Sequence, residues 1–135
     1  MSESKEYSLR AVVNAPYEDV LERLETALKE EGFGILTSLD MQAILHEKLG
    51  VSFRRYSILG ACNPPLAQRA LEQELDAGLI LPCSIVIYEN HGGTVVSIGN
   101  PTAMVSVLES VALRPIAQEA RAKLERVLET LAEGL

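Results

Sequence analysis

The spacing of apolar and polar positions changes several times along the chain, and each change marks an element. Tyr7–Val13 alternates loosely, which predicts a strand. Asn14-Ala15-Pro16 then opens a helix, with Asn14 or Ala15 at the cap. Val20, Leu21, Leu24, Ala27 and Leu28 form one apolar stripe at helical spacing, and Gly32 is the expected stop. Gly34–Leu39 reads as a second strand. Asp40 caps a short helix, Met41–Leu49, that Gly50 ends. Val51–Ala61 is read as a third strand, with Ser57, Leu59 and Ala61 on one face and Tyr56, Ile58 and Gly60 on the other.

Cys62-Asn63-Pro64-Pro65 breaks that strand, and a helix follows from Leu66 to about Asp76, ended by Gly78. Leu79–Glu89 is almost continuously apolar and β-branched, as in a central strand buried on both faces. Pro82 near its start is tolerable where the ladder has not yet begun. Asn90-His91-Gly92-Gly93 is a hairpin loop, and Thr94–Gly99 is the returning strand. Thr102 is placed to cap a short helix running to about Ser110. Pro115 starts a final helix whose stripe is Ile116, Ala120, Leu124, Val127, Leu128 and Leu131.

The resulting order is β-α-β-(α)-β-α-β-β-α. A hairpin and long amphipathic helices at both ends favour an α+β fold: an antiparallel sheet with helices packed on one face. The rival is a βαβ crossover through the Leu66 helix, with parallel strands on either side of it. The two arrangements differ in what they do with the cysteines. A crossover puts Cys62 and Cys83 at opposite ends of the sheet, whereas a meander brings them to the same end.

Composition narrows the function classes. The 135 residues fit one domain, 1–135, able to bury roughly two thirds of its unfolded surface without a metal or disulfide staple. Only the polar stretch Ser2 to Glu6 has the composition of a disordered segment. The net charge of −7 argues against nucleic acid and anionic membrane surfaces as partners. Arg54-Arg55, the densest basic spot, is too small to make a patch. No apolar run reaches the roughly 20 residues needed to cross a bilayer, and MSESKEYS has no hydrophobic stretch after its charges. A cytoplasmic address with reduced cysteines is therefore expected.

Ile58–Pro65 (ILGACNPP), Leu66-Ala67, Arg69-Ala70-Leu71 and Leu81-Pro82-Cys83 form a distinctive set. With them go Gly34-Ile35-Leu36, Asp40 and Glu47-Lys48-Leu49-Gly50. Together they resemble the bacterial and archaeal family known as domain of unknown function 302, over nearly the whole chain from about Tyr7 to Leu131. The resemblance implies a TATA-binding-protein-like β-α-β(4)-α arrangement, an antiparallel sheet backed by helices. It implies nothing about activity, and DNA binding does not carry over with the fold.

Candidate chemistry centres on Cys62 and Cys83. Cys62 precedes a helix start at Asn63-Pro64, where the helix dipole and free N–H groups favour a thiolate. The commoner role of such a cysteine is that of a small inert plug. Cys83 reads as core unless the fold brings it near Cys62. In that case the two make a redox or sulfur-handling pair, or share a soft metal. His46 and His91 read as a surface helix residue and a loop residue, and they lack the paired spacing of a zinc site. Asn63, Asp40 and Arg55 are candidate ligand contacts, with helix caps and a solvated strand face as their plainer roles. No catalytic constellation or cofactor motif appears, so no cofactor is expected.

The first expectation is thus a homodimeric ligand-binding or interaction module without its own chemistry. Its groove between sheet and helices would hold a small apolar or anionic molecule. Thiol chemistry at Cys62 with Cys83 ranks second, and soft-metal binding at the cysteines third.

Overall fold

The computed structural model describes residues 5–133, so Ser2–Ser4 of the polar N-terminal stretch lie outside the described residues. Five strands form one sheet: β1 (Ser8–Val13), β2 (Gly34–Asp40), β3 (Tyr56–Cys62), β4 (Cys83–Asn90) and β5 (Gly93–Gly99). Their order is β1-β5-β4-β3-β2, and every neighbouring pair is antiparallel. The sheet is therefore a meander, and the apolar strand β4 lies at its centre.

Five α-helices complete the fold: α1 (Tyr17–Glu30), α2 (Met41–Leu49), α3 (Pro64–Gln73), α4 (Pro101–Leu108) and α5 (Arg114–Glu133). Strand alternation sends Leu9, Ala11, Val13, Leu59, Ile85, Ile87, Val96 and Ile98 to one face of the sheet. There they meet the stripes of α1 (Val20, Leu24, Leu28) and α5 (Leu124, Val127, Leu131), all six of which are fully buried. Each large side chain buried this way contributes on the order of 1.5–3 kcal/mol.

A second apolar cluster forms at one end of the sheet. It joins Leu66 and Ala70 of α3, Ala77 of the 3-10 turn Leu75–Ile80, Val105 of α4, Leu113, and Ile116, Ala117 and Ala120 of α5. The opposite end holds the β4–β5 hairpin. Its two central residues have positive φ, 50° at His91 and 82° at Gly92, as a tight twist-matched turn requires.

Several boundaries differ from the sequence pattern, each for a local reason. β3 begins at Tyr56, where its partner Tyr88 becomes available, and not at Val51. Residues 51–55 run as an exposed connection, held where Arg54 donates to the Glu89 carbonyl and the Asn90 side chain. Leu79 and Ile80 belong to the 3-10 turn, and β4 starts at Cys83, opposite Ala61. α1 starts at Tyr17 after Pro16, with no side-chain cap from Asn14 or Ala15. Asn100, and not Thr102, caps α4: its Oδ1 accepts from the Thr102 N–H at 3.1 Å.

Candidate ligand-binding site

The strands β2 and β4 begin, and β3 and β5 end, beside the second apolar cluster. Between that cluster and the sheet lies a cavity of about 400 Å³. The sheet supplies Thr37, Ile58, Gly60, Ser84 and Gly99. The helical layer supplies Leu66, Ala70, Val105, Ile116 and Ala120, with Leu79, Leu81 and Pro82 closing one side. Among the described residues, no Asp, Glu, Lys, Arg or His side chain lines it. The volume falls within the roughly 300–1,000 Å³ of small-molecule sites.

Gly60 lets Thr37 and the Pro82 ring close over the strand at the cavity wall. A Cβ built there would overlap the Thr37 hydroxyl and lie 2.7 Å from the Pro82 ring. Asn63 lines the cavity, but its amide is already engaged. Oδ1 accepts from the Leu66 N–H at 3.3 Å to cap α3, and Nδ2 donates to the Glu31 carbonyl at 3.1 Å, which ties α3 to the end of α1. The polar side chains left to meet a ligand are Thr37, Ser84 and the Cys83 thiol.

The meander brings both cysteines to this end of the sheet, and both are free thiols. Their side chains part company. Cys83 stands opposite Ala61 and packs against the main core, whereas Cys62, the next residue along β3, pairs with Gly34 and points to the other face. Cys83 lines the cavity and Cys62 does not. Burial, with a smaller contribution from nearby Cys62, pushes the Cys83 thiol up to about 11.

The remaining candidates lie elsewhere. Asp40 caps α2, accepting from the Ala43 N–H at 3.0 Å. Arg55 sits at the far end of β3, ion-paired with Glu18 and stacked 4.2 Å over the Tyr17 ring. His46 is exposed on α2, and His91 occupies the hairpin turn at the other end of β4 from Cys83. Among the described residues, no three His, Cys, Asp or Glu side chains gather to hold a metal ion.

Sequence reasoning missed Thr37, Ser84, Gly60 and the α4 residues of the cavity. The available signal was the second face of the strands. Gly60 and Ser84 alternate with the core residues of β3 and β4, and a glycine between Leu59 and Ala61 marks a close approach; Thr37 joins them only through the irregularity after Ile35, which no sequence spacing announces.

Comparison with known proteins agrees with this architecture. The family described as domain of unknown function DUF302 matches residues 9–131. A solved structure, that of an uncharacterised conserved DUF302 protein from Bacillus stearothermophilus, superposes with a TM-score of 0.87 at 34% identity, covering 93% of this chain and 98% of that one. No curated protein matches the chain.

Proposed function

We propose that this chain, which belongs to the DUF302 family, is a binding module for a small, uncharged and largely apolar molecule. The observation that carries the reading is the cavity of about 400 Å³ between sheet and helices, apolar on nearly every side and free of charged side chains. An anionic ligand would enter it without a counter-charge, and desolvating an unpaired charge costs several kcal/mol. A neutral ligand carrying one or two hydroxyl or carbonyl groups would find Thr37, Ser84 and the Cys83 thiol as partners. The reading includes a cytoplasmic setting, where two unpaired cysteines stay reduced. No helix among the described residues is long and apolar enough to cross a membrane.

Thiol catalysis receives less support. The raised Cys83 keeps its proton at neutral pH, and nucleophilic sulfur chemistry needs the thiolate. The strand also turns Cys62 and Cys83 to opposite faces.

Titration with Nile red, an uncharged dye whose emission shifts in apolar surroundings, tests the reading. Saturable binding is expected for the native protein. It should be lost in Ala67→Trp, which fills the cavity from the partly exposed side of α3. It should survive in Leu71→Trp, on the same helix but outside the cavity. Absence of saturable binding, or equal loss in both variants, would remove the proposal.

A further inference from the structure

The cavity has a polar, exposed end and an apolar, buried one. Gly60 is the ladder partner of both Thr37 and Ser84, so the three stand in one row across β2, β3 and β4. Thr37 and Ser84 are exposed. Leu39 and Leu79 also line the cavity, yet they are 49% and 79% exposed. These four side chains mark its mouth. The buried end lies where α3, α4 and α5 meet, and Ala70, Ala77, Leu113, Ile116 and Ala120 form its wall.

Hydrogen-bonding capacity falls away in the same direction. Among the described residues, those that wall the buried end carry apolar side chains alone. Ala70 and Ala120 lie inside helices, whose backbone groups bond one another. Asn63 is buried and lines the cavity, but its amide is committed to the Leu66 N–H and the Glu31 carbonyl. A polar group of a ligand at this end would give up water and gain no partner, which is unfavourable. At the mouth the same group keeps water or meets the Thr37 and Ser84 hydroxyls. The small side chains of Ala70, Ala77 and Ala120 leave space behind the mouth that larger ones would fill.

We infer that the ligand is a neutral amphiphile with a single polar end, seated with its apolar chain among α3, α4 and α5 and its polar group at the row of Thr37, Gly60 and Ser84. This rests on the binding-module reading above and adds the class of the ligand and its direction. An alkyl alcohol or a glycerol monoester is built this way. A molecule of the same size with polar groups at both ends is disfavoured, because one of them must enter the buried end. An apolar pocket rejects an isostere that adds a hydroxyl by up to roughly 100-fold, so the discrimination is large enough to measure.

Displacement of Nile red by two isomeric diols tests the inference on the native chain. Both hydroxyls of 1,2-octanediol share one end, whereas those of 1,8-octanediol sit at opposite ends. The 1,2 isomer should compete at least about tenfold more strongly, and a smaller gap overturns the inference. Ala120→Leu, which narrows the buried end, reports which end of the ligand lies there. It should weaken 1,2-decanediol more than 1,2-hexanediol, because the longer chain reaches further inward. Equal weakening of the two would put the polar group at the buried end and overturn the inference. Ala120→Val is the milder variant to use if circular dichroism shows Ala120→Leu unfolded. Saturable Nile red binding without the isomer gap removes this inference and leaves the binding module standing, whereas absence of Nile red binding removes both.

Discussion

Cys83 faces Ala61 across the β3–β4 ladder, and that pairing fixes the chemistry available to its thiol. It places the sulfur against the core and at the wall of the cavity, with Cys62 turned to the other side of the sheet. With its titration moved from 9.0 to about 11, the native thiolate population near pH 8 falls about 100-fold relative to the unfolded chain. In a Cys62→Ser background, which keeps the larger contribution from burial and removes the smaller one from Cys62, iodoacetamide should therefore label Cys83 more than tenfold more slowly in the native protein than in denaturant. Labelling at equal rates below pH 8 would show that the thiol is not held in the protonated form.

The same shift has a consequence for stability. Cys83 binds its proton more tightly in the folded state, so between pH 9 and about 11 the native chain holds a proton that the unfolded chain has lost. The contribution is fully present below pH 9 and is lost as pH rises through 11. Two units correspond to at most about 2–3 kcal/mol. Urea unfolding should show a fall in stability across that window, and Cys83→Ala should flatten it. A profile unchanged by the substitution would assign any alkaline loss to other groups.

Asn63 is the residue through which three elements meet. It caps α3, bonds the Glu31 carbonyl beyond α1, and stands at the cavity wall. Asn63→Ala removes both bonds and leaves the Glu31 carbonyl without its partner. The expected cost is about 1–3 kcal/mol, combining the loss of a cap with an unmet acceptor. Thermal unfolding should register it as a lower midpoint, and Asn63→Ser, whose hydroxyl keeps a cap acceptor but offers no amide donor to the Glu31 carbonyl, should fall between Asn63→Ala and the native chain. If Asn63→Ser were no better than Asn63→Ala, the cap would not be the main contribution.

Elements with a one-sided stripe were legible in the sequence. The α1 stripe, the Leu124–Leu131 part of the α5 stripe, and Leu59 and Ala61 of β3 form the main core as their spacing implies, whereas Ile116 and Ala120 join the second cluster. Cap chemistry was legible at Asp40, Asn63 and Gly50, where a short polar side chain or a left-handed φ has one obvious use. The start of β4 was not. Leu79-Ile80-Leu81 is as apolar as the strand it precedes, yet β3 ends at Cys62, so Leu79 and Ile80 turn as a 3-10 segment and Leu81 is extended but outside the ladder. The cavity was illegible for a related reason. Its wall is assembled from Thr37, Gly60 and Ser84 on three strands together with side chains of α3, α4 and α5, and no local pattern ties residues so far apart to one volume.

Gly60 offers a direct test of how closely the sheet and the Pro82 segment approach. Any side chain there meets the Thr37 hydroxyl and the Pro82 ring at less than contact distance. Leu59 and Ala61, on either side of it, are buried in the main core. Thr37 is exposed on the edge strand and can rotate, so the Pro82 segment is where the displacement must be absorbed. Gly60→Ala should therefore destabilise the fold by about 1–3 kcal/mol, the usual range for overpacking. The Pro82 side of the cavity should also shift, so Nile red affinity should fall beyond what the loss of stability explains. Ala at position 78, where a Cβ meets nothing within 4 Å, is the matched control. Unfolding in urea and dye titration on Gly60→Ala and Gly78→Ala together measure both effects. Equal behaviour of the two variants would mean that the contact between Gly60 and Pro82 is not what shapes the cavity.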